Sequence, residues 1–192
     1  RGPQSAGVLD HLIAPGEGFN RICLAGNHDI YFHRLLKTAQ VDRAWYAVGG
    51  GETLRSYGID PDAFAHPGMS RSRRLQILQS HVPDEHRAFL ARLPVALLTP
   101  AWLFVHAGLR AGVPFDGNTD RDLTETRDSV FADYRDVGRV VVHGHVINDD
   151  PILTESRICV DTGACITGCL TAVRLARDAQ PSIVAVRVSP DG

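Results

Sequence analysis

Apolar and polar positions alternate with two different periods along this chain, and the change of period divides it. From Ser5, Val8, Leu9, Leu12 and Ile13 recur at helical spacing, so the pattern predicts a helix capped by Ser5 and stopped by Pro15 and Gly16. Arg21 to Ala25 reads as a short buried strand. Gly26-Asn27-His28-Asp29 follows, and Tyr31, Leu35 and Leu36 then resume a helical period. The unit is a β-turn-α with polar residues where α/β folds place ligands. From Gln40 to Met69 the pattern is irregular, with Gly49-Gly50-Gly51, Pro61, Pro67 and Gly68 marking loops. Leu75 to His81 and Asp84 to Arg92 read as two short helices, and residues 40–93 together as a helical and loop cap. Arg71-Ser72-Arg73-Arg74 is a solvated helix start. Beyond this the period becomes that of strands: Val95 to Leu98, Trp102 to Val105, Arg139 to Val142, Arg157 to Val160, Cys169 to Leu175 and Ile183 to Val188. One helix, Leu123 to Tyr134, interrupts them. The expected fold is a single α/β domain over residues 1–192, a layered sandwich with a mixed sheet.

Composition narrows the function classes. Hydrophobic residues are 44% and charged residues 22% of 192, so a core can be buried and disorder is excluded. The formal charge of -2 gives no polyanion-binding signal, so nucleic acid is not an expected partner. Runs such as Pro94 to Leu98 and Val140 to Val142 are too short to span a bilayer, and the polar start Arg1-Gly2-Pro3-Gln4-Ser5 is no signal peptide. A cytoplasmic setting follows, with Cys23, Cys159 and Cys169 as buried free thiols in apolar surroundings. Cys165 and Cys169 leave a zinc site or disulfide as a minor alternative. The first residue is Arg, as in a fragment or processed product.

Three predicted strands stop at metal-type ligands. The first ends at Gly26-Asn27-His28-Asp29, the second at His106-Ala107-Gly108, the third at His143-Gly144-His145. A glycine beside each lets the backbone turn, so that side chains from different strands converge. Imidazole and amide donors suit Mn, Fe or Zn. A lone histidine at such a place is more often a hydrogen-bonded loop residue, the reading given to His33, His66, His81 and His86. Asn27 alone would suit a turn.

Four segments in order carry a resemblance: Leu24-Ala25-Gly26-Asn27-His28-Asp29, Phe104-Val105-His106-Ala107-Gly108-Leu109, Val141-Val142-His143-Gly144-His145 and Val160-Asp161-Thr162-Gly163-Ala164. They resemble the phosphoprotein-phosphatase branch of the calcineurin-like metallophosphoesterases in its bacterial form. Arg1-Gly2-Pro3 is similar to the tail of that family's G-D-x-x-D-R-G motif. Gly49 to Leu54 with Ser56-Tyr57-Gly58 is similar to a loop of its bacterial members. The resemblance implies an α/β/β/α sandwich and a serine/threonine protein phosphatase, a phosphoric monoester hydrolase. Two divalent metals, Mn or else Fe or Zn, activate a water that attacks phosphorus. It implies Asn27, His106 and His145 as ligands of the second metal, with His143 behind them; Asp161, placed after a strand, reads as lying behind the ligands or as structural rather than ligating. His28 is implied as the general acid, and Arg1 and Arg127 as the clamp on the phosphate. The plain reading of Arg1 is a frayed terminus, and that of Arg127 a helix-surface pair with Asp128 or Glu125.

The chain departs from the family at its start. The D-x-H motif and the aspartates of G-D-x-x-D are absent, so the first metal's ligands and the first β-α-β unit are expected upstream of Arg1. Asp29 and His33, the nearest substitutes, read as structural. Val146-Ile147 replaces Thr-Pro, and Thr124-Glu125-Thr126 replaces bulky apolar residues before Arg127. The 192 residues alone are expected to bind metal weakly and to turn over little. Partners are a phosphorylated protein or a small phosphoester, with no nucleic acid or membrane. The alternatives are symmetrical hydrolysis of dinucleoside tetraphosphates and a non-catalytic phosphate-binding module. D-x-H and G-D-x-x-D immediately before Arg1 in the genome would favour an enzyme. An apolar face left unpaired would make the chain self-associate.

Overall fold

The computed structural model describes residues 1–130 and 132–188. The chain divides into two compact units, Arg1–Pro94 and Val95–Gly192.

The first unit is helical among its described residues. Helix α1 spans Ser5–Ile13, and Ser5 lies inside it: its Oγ donates to the Gly2 carbonyl (2.8 Å) instead of capping the helix. Arg21 to Ala25 is not a strand. A strand needs a neighbour to take its peptide groups. Here Ala25 N–H donates to the Pro94 carbonyl (2.8 Å), and Ile22 is 61% exposed. Helix α2, Asn27–Thr38, begins at the polar motif, and the Asp29 carboxylate accepts the Gly26 N–H (2.8 Å).

The stretch expected to be irregular holds α3 (Arg43–Trp45), a wide helical turn over Tyr46–Gly50, α4 (Gly51–Ser56) and α5 (Pro61–Ala65). Asp42 caps α3, and Asp60 with Pro61 opens α5. Helix α6 runs Arg71–His81, starting four residues before its apolar pattern because Ser70 caps it at the Arg73 N–H. Helix α7 is Asp84–Leu90. Phe32, Leu35, Trp45, Leu54, Phe64 and Leu78 form the core. Each such side chain contributes roughly 1.5–3 kcal/mol by leaving water. The Phe32 ring stacks on Trp45 at 6.0 Å and tilts against Tyr57 at 5.4 Å.

The second unit is mixed α/β. Its five-stranded sheet has the order β1-β2-β3-β5-β4, with β1 Ala96–Leu98, β2 Trp102–Val105, β3 Val140–His143, β4 Ile152–Leu153 and β5 Arg157–Cys159. The pairs β2/β3 and β3/β5 are parallel, and the two outer pairs antiparallel. Leu103, Val105, Leu109, Leu123, Tyr134 and Val141 form its core. The helix expected over Leu123 to Tyr134 is instead α8, Asp120–Glu125, followed by a separate 3-10 turn at Asp128–Val130. Position 131 of the expected helix lies outside the described residues. The helix closes at its C-cap, Thr126, whose ψ of 145° is extended. A short helix α9, Ala164–Thr167, leads into the hairpin of β6 (Cys169–Ala176) and β7 (Ala179–Arg187). No helix of the described residues is long and apolar enough to cross a membrane.

Candidate functional site

The expected site residues fall into a set on each unit. In the helical unit Asn27 and His28 open α2. Arg1, Ser5, His28, Asp29, Thr53 and Tyr57 help to line one cavity of about 120 Å³. Trp45, which sequence reasoning left out, sets the state of His28. Its Nε1–H donates to His28 Nδ1 (3.1 Å), so Nδ1 is the acceptor and the neutral ring carries its proton on Nε2. The glycine run explains the placement of both neighbours. A Cβ on Gly50 would stand 2.5 Å from the indole, and Gly49, at φ 118°, lies against the Arg1 stem, where a Cβ would meet Cγ at 2.8 Å. Burial pushes the Asp29 carboxyl up, opposed by the Gly26 N–H that it accepts.

His86 is a buried residue of α7, not a loop residue: Tyr57 Oη and Asp10 Oδ1 lie 2.8 and 2.9 Å from its two ring nitrogens. His33 and His81 also lie in helices. His66, after α5, accepts the Gly68 N–H.

In the sheet unit the imidazoles sit at the carboxyl ends of parallel neighbours β2 and β3. The Gly144 N–H donates to the His106 carbonyl (2.8 Å), which carries the parallel register one step past the strands. The rings of His106 and His145 meet edge to face with centroids 5.1 Å apart. His145 has φ 68°, in the left-handed region, and Val146 N–H closes a tight turn onto the Gly144 carbonyl (2.8 Å). Such a conformation costs a non-glycine residue about 1–3 kcal/mol and clusters at functional sites. Desolvation lowers the His145 pKa, and the Arg127 guanidinium adds to this, while Asp161 opposes it. Arg127 is therefore a neighbour of His145, on an extended segment past the end of α8 and not on a helix face. Its plain alternative partner Glu125 pairs with Arg121 (2.9 Å).

His143 is 4% exposed; burial pushes its pKa down to about 4, and among the described residues its Nε2 has no hydrogen-bond partner. Asp161 Oδ1 accepts the Gly163 N–H (2.9 Å). Gly108, at φ 113°, leaves room for Tyr134, whose hydroxyl accepts the Leu109 N–H (3.0 Å) and donates to the Leu109 carbonyl (3.1 Å).

Two imidazoles delivered from adjacent strand ends, one of them with its pKa lowered by desolvation, are a donor pair that fits Mn, Fe or Zn. Among the described residues no three His, Cys, Asp or Glu form a metal-holding group; the expected set contains two such residues and an amide. Cys159 and Cys169 are buried, Cys23 is only half-buried, and Cys165 is exposed; all four are free thiols, so the alternative disulfide is not formed. The chain matches no protein-family model and no curated protein.

Proposed function

We propose that this chain is a metal-dependent phosphoric monoester hydrolase of the serine/threonine protein phosphatase type, with the layered sandwich of that family. The observation that carries the reading is the meeting of His106 and His145. They lie far apart in sequence, their rings approach to 5.1 Å, and one of them is held in a strained backbone. Asn27, His106 and His145 are the residues that would hold a divalent ion. Such an ion supplies an activated water and neutralises phosphoryl oxygens.

The remaining roles belong to the chain's own groups. His28 offers the Nε2 proton to the leaving alkoxide, with Trp45 fixing which nitrogen carries it. The guanidiniums of Arg1 and Arg127 bind phosphoryl oxygens as planar forks.

The test is Mn(II) binding followed by titration calorimetry on residues 1–192. The wild type binds Mn(II) saturably, and His106→Ala and His145→Ala each weaken that binding at least tenfold. Unchanged binding in both variants overturns the reading. Turnover of a phosphopeptide against diadenosine tetraphosphate then separates the protein phosphatase from the tetraphosphate hydrolase.

A further inference from the structure

The helical unit carries a second arginine-lined concavity, of about 540 Å³, lined by Ala39, Gln40, Val41, Arg43, Ala65, Pro67, Arg71 and Arg74. Three guanidiniums line it, and no carboxylate does. Arg43 stands on α3, Arg71 and Arg74 one turn apart on α6. None of the three is in an ion pair among the described residues.

Two of these side chains are held in place by backbone. Arg71 Nε–H donates to the Thr38 carbonyl (2.7 Å). Arg74 donates from Nε to the Phe64 carbonyl (2.8 Å) and from Nη2 to the His66 carbonyl (2.9 Å). Those bonds fix the planes of the forks and leave both Nη groups of Arg71 and Nη1 of Arg74 for a ligand. The carboxylate next in sequence, Asp42, is committed elsewhere: Oδ1 accepts the Ala44 and Trp45 N–H groups, and Oδ2 accepts from Arg34 at 2.6 Å. The positive charge of Arg43 is therefore not cancelled by its neighbour.

We propose that this concavity binds a phosphoryl anion of more than one negative charge, such as the diphosphate group of a small molecule. A single carboxylate would leave most of the three positive charges unmatched. Planar forks match the spaced oxygens of linked phosphoryl groups. The site is separate from the cavity lined by Arg1 and His28, with which it shares no lining residue.

Calorimetry of the whole chain with sodium diphosphate, in low salt with chelator, tests this. Arg43→Gln is the clean variant, because the Arg43 side chain makes no hydrogen bond or ion pair among the described residues. It should weaken binding about threefold to tenfold, and Arg43→Gln with Arg71→Gln further still. Inorganic phosphate should bind more weakly than diphosphate. Arg92→Gln, outside both cavities, should leave the affinity unchanged, whereas Arg1→Gln reports on any diphosphate held in the other cavity. The Nε–H resonances of Arg71 and Arg74 should shift during the titration. Equal affinity in wild type and Arg43→Gln, binding abolished by Arg1→Gln, or no saturable binding by wild type overturns the proposal.

Discussion

The two units hold their candidate residues by different means. In the helical unit the site side chain is held by another side chain. The Trp45 indole stacks in the core, lies on Gly50 and donates to His28. In the sheet unit the histidines are placed by backbone register, one step beyond parallel β2 and β3. The units differ equally in closure. The helical core is shut around large rings. The hairpin of the other unit leaves Leu170, Val184 and Val186 more than half exposed. A side-chain scaffold is vulnerable to truncation, whereas a register scaffold is vulnerable to anything that bends the strand ends.

The largest expected effect follows from the first scaffold. Trp45→Ala removes a ring that is 2% exposed and should cost about 3–5 kcal/mol in urea unfolding. Trp45→Phe keeps most of the volume and removes the donor. The His28 ring nitrogens should then change their tautomer-sensitive nitrogen chemical shifts, and unaltered shifts would remove Trp45 from the site.

The sheet unit should respond to acid. His143 has a folded pKa of about 4, below its ordinary 6.5, because burial disfavours its charged form. As pH falls the unfolded chain takes the proton first. Stability from this group is complete above about pH 6.5 and is lost progressively toward pH 4, by about 3 kcal/mol in all. Denaturant unfolding of the chelator-treated chain across this window should show the decline. In His143→Gln that part of the slope disappears; an identical slope in the variant refutes the assignment.

The paired glycines sharpen the contrast. Gly50 has φ -66°, which alanine adopts without strain, so the cost of Gly50→Ala comes from the contact with the indole and should be about 1–3 kcal/mol. Gly108→Ala meets the Tyr134 hydroxyl at 2.7 Å and Ser129 Cβ at 2.8 Å, and it must also hold φ 113°. It should cost more than Gly50→Ala, and a smaller loss would show that the β2 end yields where the indole does not.

The sequence period located the strands except β4, whose two residues are too few to show an alternation, since β-branched runs such as Val140-Val141-Val142 have few other uses. It failed where order is imposed from elsewhere. Arg21 to Ala25 has a strand's composition but lacks a neighbour that pairs along it in its unit. The short helices α3 and α5 carry legible caps, Asp42 and Asp60-Pro61, yet three to five residues are too few for an apolar period to register. Of the candidate site, the strand-end histidines were legible from the glycines beside them. The hold of Trp45 on His28 and the Tyr57–His86–Asp10 chain depend on tertiary packing that no local pattern records.

The smallest stability effect belongs to the open hairpin. Leu170 and Val186 are partners across the β6/β7 ladder, and both are exposed, by 66% and 62%. A two-stranded ribbon with an uncovered apolar face drives association because each copy hides the other's surface from water. Leu170→Lys with Val186→Glu places opposite charges directly across the ladder. Because neither side chain contributes to a core, monomer stability should change by no more than about 0.5 kcal/mol. Sedimentation of the wild type should show concentration-dependent association, which the double variant should suppress. If the variant associates as strongly as the wild type, the contact surface lies elsewhere; if it unfolds, the hairpin face is buried in the folded protein after all.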